Sequence, residues 1–392
     1  MEPASIVKAI KQCLPKESGM PIPLHQPSFC GKEWEYVKEC LDTGWVSSVG
    51  KYVDEFEDQL QATTGAKFAI AVVSGTAALH LCLHLCGVEK DDEVLVPALA
   101  FVAVANAVSY CNAVPHFVDC EEQTLGVDPA SLESYLEQIS EIKHGECFNK
   151  SSGRRIKALI VVHAFGHPVD LDSVSSVCRR FKVELVEDAA ESLGSTYKER
   201  HTGCWGRVSA LSFNGNKIIT TGGGGAILTQ DEDLARRAKH LSTTAKEPHP
   251  WRYFHTNKGY NYRLPNINAA LGCAQLERLT EFVQKKRNLS AKYKKKFDDF
   301  PGVKFFQEPE FAKSNYWLNV LLLGEEYSYH LEAILKLCIS ERLMVRPAWV
   351  LLNKLPMFES CPKAKLPVAE SLERRILNLP SSAILGASNA QA

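Results

Sequence analysis

Between residues 67 and 231, short apolar runs alternate with segments of helical period, and no other feature of the chain limits its fold as strongly. "KFAIAVVS", "DEVLVP", "AVPHFVDC", "IKALIVVHAFG", "VELVEDAA", "VSALSFNG" and "GAILTQD" read as strands, and "GTAALHLCLHLCG", "AFVAVANAVSYCN" and "DLDSVSSVCRRF" as helices set among them. Strands that are continuously apolar are buried on both faces, and strands separated by helices pair in parallel. The expectation is an α/β architecture with a mostly parallel, helix-covered sheet. The polar interval "ISEIKHGECFNKSSGRRIK" reads as a surface insertion between two of these units.

From "DEDLARRAKHL" onward long amphipathic helices take over, notably "NINAALGCAQLERLTEFVQKKRNLSAKYKKKFDDF", whose basic end is expected to be a solvated helix face. "SNYWLNVLLL" is a strand candidate, followed by a mixed piece assigned to a smaller C-terminal domain. A single core stops growing near ~250 to 300 residues, so 392 residues suggest two domains. The division expected is 1–20 as an N-terminal segment, 21–250 as a large α/β domain, 251–382 as a helical connection with the small domain, and 383–392 as a disordered tail.

With 45 basic and 46 acidic residues the formal net charge is -1, so the balance favours no polyanion and no nucleic-acid partner. The apolar runs fall short of the roughly 20 residues that span a bilayer, and "MEPASIVKAIKQCLPKE" has no long apolar stretch of the signal-peptide kind. The reading is a cytoplasmic protein with no membrane partner. Thirteen cysteines never fall in a C-x-x-C spacing, which suits reduced, mostly buried thiols. In "HLCLHLC", a helix sets His80 with His84 and Cys82 with Cys86 on nearly opposite sides, and no metal is assigned there.

One loop asks for chemistry. "SFNGNKIITTGGGG" places Lys217 between two strands, yet it matches neither G-x-x-x-x-G-K-[ST] nor a G-x-G-x-x-G that opens a helix. The remaining option is the lysine itself as the reagent, attacking as a free amine to form an imine. Other stretches supply what such a lysine needs. "SGTAAL" sits at a strand-to-helix junction, where free N–H groups favour a phosphate, although an ordinary helix cap explains it equally. "VEDAAES" carries Glu187 and Asp188 to the carboxyl end of a buried strand, where α/β sheets hold ligands, the alternative being a helix-capping acid. A carboxylate there can keep a pyridine nitrogen protonated, as pyridoxal phosphate (PLP) requires. Phe101 offers a flat ring just after a strand, or one more core side chain.

Together with "GWVSSVGKYVDEFE", "HAFGHPVDLD" and "GYNYRLPNINAALGCAQL", these pieces give the chain a resemblance to the DegT/StrS family of sugar-nucleotide aminotransferases, from about residue 20 to about residue 382. The resemblance implies a fold-type I PLP enzyme: a mostly parallel mixed sheet flanked by helices, with a smaller C-terminal α+β domain. It implies that Lys217 holds PLP covalently and later moves a proton, that Asp188 faces the pyridine nitrogen, and that Gly75, Thr76 and Ser212 bind the cofactor phosphate. Phe101 matches the ring stacked on the cofactor, and Asn261 matches an asparagine that reaches the phosphate from a neighbouring subunit, which implies a homodimer with shared sites. Glu191 departs from the glutamine or histidine common there, and as a carboxylate it would repel the cofactor's phenolate unless protonated or turned aside.

The implied reaction is transamination from L-glutamate to a nucleotide-linked keto-sugar. Arg263 and Arg346 are candidates for its diphosphate, each equally explained by a structural ion pair, and His163 is either a lining residue or a satisfied core histidine. "CFNKSSGRRIKAL", "RPAW" and "KLPMF" resemble the branch acting on UDP-4-keto-6-deoxy-N-acetylhexosamines, with GDP-4-keto-6-deoxymannose the alternative. A PLP-dependent sugar dehydratase on the same scaffold would carry histidine in place of Lys217, and a PLP-binding regulator would lack part of the lysine, aspartate and phosphate set.

Overall fold

The seven apolar runs form one sheet in the computed structural model, which describes residues 2–15 and 21–387. In chain order the strands are β1 (Phe68–Val72), β2 (Glu93–Pro97), β3 (Val114–Val118), β4 (Ile156–Val162), β5 (Glu184–Asp188), β6 (Val208–Ser212) and β7 (Gly225–Thr229). They lie side by side as β1-β7-β6-β5-β4-β2-β3. Only β7 runs against its neighbours β1 and β6, and the pairs from β6 to β3 are all parallel. A glycine-rich turn can return the chain directly beside the strand it has just left, whereas a parallel return needs a crossover.

Period-two alternation assigns each strand residue to one of two cores. Ile160 and Val186 pack with the helices Gly75–Leu85 and Ala103–Tyr110, while Leu159, Val161 and Leu185 pack on the other face with the helix Leu171–Phe181. The helix Gly75–Leu85 begins with Ser74, whose Oγ accepts the Ala77 N–H, and stops where Gly87 takes φ 75°.

The interval expected to be a surface insertion is a hairpin, Ser140–Lys143 with Glu146–Asn149, and its far end works inward. Asn149 Nδ2 and Ser152 Oγ donate to the buried Glu93 carboxylate, which His116 also meets at 2.8 Å. The long helical stretch divides into Asn266–Leu276 and Leu279–Phe297. Its Lys294, Lys295 and Lys296 are exposed, as expected of a solvated face. Lys286 is an exception in the same helix: it is fully buried, and its ammonium donates to the carbonyls of Trp317 and Ser381. Two carbonyls facing one N–H₃ group give it the partners that burial demands.

A second, antiparallel sheet follows: β8 (Val303–Phe305), β9 (Asn319–Leu323), β10 (Arg346–Pro347) and β11 (Ile376–Leu379), ordered β8-β9-β11-β10. The helix Pro3–Cys13 lays Ile6 and Ile10 into this sheet's core, against Tyr293, Phe297 and Cys338. The expected disordered tail begins too early: Ala383–Gly386 form a 3₁₀ turn with Leu385 packed in the core beside Leu289, and only residues 388–392 lie outside the described ones. All thirteen cysteines are free, and most are buried. No helix among the described residues is long and apolar enough to cross a membrane.

Candidate active site

Two neighbouring carboxylates at the end of β5 point to opposite faces of the sheet. Glu187 turns to the face of Leu185, where its oxygens accept the N–H groups of Gly203 (2.7 Å), Trp205 (2.7 Å) and Gly206 (2.6 Å) and meet His163 Nε2 at 3.0 Å. Burial alone would raise its pKa, but the His163 hydrogen bond and charge, with the Gly206 and Gly203 N–H groups, outweigh burial and lower it. Asp188 turns to the other face, into a cavity of about 300 Å³. Among the described residues its one hydrogen-bond donor is the Ala190 N–H at 3.0 Å. Burial, aided by the charge of Glu191, pushes its pKa from 3.8 to about 6 against the pull of Ala190, Lys217 and His163. A buried acid with a spare oxygen facing a cavity is suited to a ligand that brings a proton or a positive charge.

Opposite the acid stands the N-terminus of the helix Gly75–Leu85. The first N–H groups of a helix have no partner within it, and Ser74, Gly75 and Thr76 all line the cavity. The β6 strand delivers Ser212 to the same place so tightly that a Cβ on Gly75 would lie 2.8 Å from Ser212 Cβ. Two of the four glycines serve this packing. Gly222 adopts φ 79°, and a Cβ on Gly225 would sit 2.5 to 2.7 Å from the backbone of Ser74 and Gly75. The turn therefore brings β7 against the helix start and leaves the helix N–H groups accessible.

Lys217 projects into the cavity between these parts. Its Nζ is 3.1 Å from Glu191 Oε1 and 4.1 Å from the centre of the Trp317 ring. Glu191 itself lines the cavity, and its second oxygen accepts the Phe165 N–H at 2.8 Å. Phe165 presents that N–H from φ 58°, a conformation uncommon outside glycine. Beside it, Gly166 has φ 96° and no room for a Cβ beneath Asn315 Oδ1. Trp317 is fixed by its indole N–H, which donates to Asn216 O at 2.7 Å. The sequence reading missed Trp317, which arrives from the start of β9 a hundred residues after the lysine. Its only signal was a tryptophan in "SNYW", ahead of an apolar run.

Among the other expected residues, Phe101 lines the cavity with its ring 53% exposed, so it is not the core side chain of the alternative reading. Its neighbour there is Trp349, 6.5 Å away centre to centre, which in turn stacks on Phe165 at 4.7 Å. His163 does not belong with the substrate residues. It is fully buried, one ring nitrogen on Glu187 and the other accepting the Val169 N–H, because the chain turns it to the back of the sheet. Asn261, Arg263 and Arg346 are also absent from the lining. Arg263 runs beside Val72 and donates to Asn261 Oδ1 at 3.3 Å, with its buried Nε unpartnered. Arg346 is exposed on β10 and donates to its own neighbour's carbonyl, Val345 O.

A primary amine, a buried acid, a helix N-terminus opening on the cavity and an exposed flat ring fit a planar, phosphorylated, nitrogen-bearing cofactor, and on an α/β sheet they define a PLP-dependent enzyme. The comparisons with known proteins agree. Residues 28–392 match the DegT/DnrJ/EryC1/StrS aminotransferase family, and the chain belongs to it. It is 39% identical to EpsN of Bacillus subtilis (strain 168), named as a pyridoxal phosphate-dependent aminotransferase, over 91% of this chain and 90% of that one. Identity to GDP-perosamine synthase of Escherichia coli O157:H7 is 36%, over 92% and 93%. The crystal structure of the aminotransferase TlmJ from Streptoalloteichus hindustanus superposes with a TM-score of 0.84 at 26% identity, over 94% of this chain and 95% of that one. The protein is a PLP-dependent sugar aminotransferase acting on nucleotide sugars.

Proposed function

We propose that the enzyme transfers the amino group of L-glutamate to C4 of a UDP-2-acetamido-2,6-dideoxy-4-ketohexose, giving the 4-amino sugar nucleotide for glycan biosynthesis. The observation that carries the site assignment is Lys217 Nζ standing in the same cavity as Asp188 and the Gly75–Thr76 helix start. When bound, PLP supplies the electron sink that makes the donor's α-proton removable and carries the amino group from donor to acceptor.

The chain's residues do the rest. Lys217 Nζ anchors the cofactor, takes the proton from the donor's Cα and delivers one to the sugar carbon. Asp188 keeps a proton on the ring nitrogen, its own pKa being raised by burial. Gly75 and Thr76 N–H groups with Ser212 Oγ hold the phosphate, and Phe101 lies against the ring. Glu191, bound to Lys217 and the Phe165 N–H, orients the amine when it is free. Trp317, pinned by Asn216, limits where Nζ can swing.

In this reading the enzyme is a cytoplasmic homodimer. Asn261, which does not line its own chain's cavity, completes the partner's phosphate site, and Arg263 and Arg346 serve the nucleotide diphosphate. A second reading, with GDP-4-keto-6-deoxymannose as acceptor, is favoured by the likeness to GDP-perosamine synthase. Incubation with L-glutamate and each keto-sugar nucleotide, followed by mass spectrometry, separates the two. The proposal requires the carbonyl-to-amine mass change on the UDP-linked sugar, and amination of the GDP-linked sugar alone would replace it with the second reading.

A further inference from the structure

The helix Gly75–Leu85 carries, away from the cofactor cavity, a histidine pair that the transamination does not use. His80 and His84 are one turn apart, their ring centres separated by 4.9 Å, while Cys82 and Cys86 turn into the opposite core. The sequence reading assigned no metal here because those two cysteines face away. The fold brings a different one: Cys111, just past the helix Ala103–Tyr110, approaches the same side.

One donor atom from each of His80, His84 and Cys111 lies within 4.8 Å of the other two. We propose that these three residues form a binding site for a borderline-soft divalent metal ion, Zn²⁺ above all. A tetrahedral ion with Zn–N near ~2.0 Å and Zn–S near ~2.3 Å needs donors roughly 3.3 to 3.6 Å apart, so closure asks for side-chain adjustment and not for refolding. His80 is 3% exposed, and its Nε2 has no hydrogen-bond partner among the described residues. His84 is only partly buried and gives an ion a way in. On binding, the Cys111 Sγ–H proton leaves to solvent as the metal–sulfur bond forms, and a water completes the fourth position.

The surrounding shell suits such a site. Tyr262 Oη meets His80 Nδ1 at 3.2 Å and orients that ring with Nε2 free, and Tyr260 Oη meets His84 Nε2 at 2.7 Å, which leaves His84 Nδ1 for the ion. An ion here ties the helix Gly75–Leu85 to the end of the helix Ala103–Tyr110, beside Tyr260 and Tyr262. The inference does not depend on which keto-sugar is the substrate.

The test is a titration of chelator-treated holoenzyme with Co²⁺, reading the visible d–d bands of a four-coordinate ion, followed by competition with Zn²⁺. Wild type is expected to take up one equivalent with intense tetrahedral bands that Zn²⁺ erases, and to show a higher unfolding midpoint with Zn²⁺. Cys111→Ser, a small change, and His84→Ala, at a partly exposed position, should each weaken binding by at least roughly tenfold while keeping the cofactor's absorbance. Wild type without tetrahedral bands, or bands unchanged in both variants, would overturn the site.

Discussion

Glu187 and Asp188 are consecutive carboxylates on one strand, yet they occupy two unlike regions of the molecule. Behind the sheet, Glu187 is closed in by three N–H groups and His163, and its pKa is lowered. In front, Asp188 has the Ala190 N–H and a cavity, and its pKa is raised to about 6. Burial acts on both in the same direction. The difference is in how many donors meet the charge, and it separates a carboxylate that completes the fold from one kept for a ligand.

Five predictions press on that difference. The largest effect belongs to the front side: Lys217→Ala should lower turnover by roughly a thousandfold or more, in steady-state assay, while the amine form of the cofactor still binds. Next come the two acids. Asp188→Asn should cut kcat by roughly a hundredfold or more and leave the cofactor-free fold intact. Glu187→Gln should do the reverse, costing about 3 kcal/mol or more in denaturant unfolding with kcat per folded molecule little changed. Equal losses of activity in the two variants would break the comparison.

The pH dependence of stability sharpens it. Asp188 has a folded pKa of about 6 against 3.8 for the free side chain, so the folded, cofactor-free protein binds more protons in between. Its contribution is present in full below about pH 4 and is lost as pH rises through 6, on the order of 3 kcal/mol. Unfolding of wild type and Asp188→Asn measured from pH 4 to 7 should diverge accordingly. Glu187 has the opposite sign: its lowered pKa contributes above the usual carboxylate range and is lost as pH falls through the folded value. The smallest effect is expected from Trp317→Phe, which removes the bond to Asn216 O and should cost about 1 kcal/mol, read as a several-fold drop in kcat with KM nearly constant.

Much of this was legible before the structure, and the exceptions share a cause. The strands of the main sheet and the helices between them follow from local period and composition, so "KFAIAVVS" or "DLDSVSSVCRRF" carry their own answer. The reversed direction of β7 depends on a turn and on its neighbours, which local period does not report. Lys217, Asp188, Gly75, Thr76, Ser212 and Phe101 meet in one cavity because each sits where a strand of the main sheet ends. Period two says that Glu187 and Asp188 part company but not which faces the ligand. Trp317, the buried Lys286 and the Cys111 beside His80 come from chain segments distant in sequence, and only packing discloses them. His163 was ambiguous for the same reason, since its partner Glu187 lies on the adjacent strand.

The central claim, that the front face of β5 is the cofactor site with Lys217 as its attachment point, has a direct chemical test. Holoenzyme reduced with borohydride, digested and analysed by mass spectrometry should carry the phosphopyridoxyl group on the peptide containing Lys217. An adduct on another lysine, the buried Lys286 included, or no adduct in protein that turns over, would contradict it.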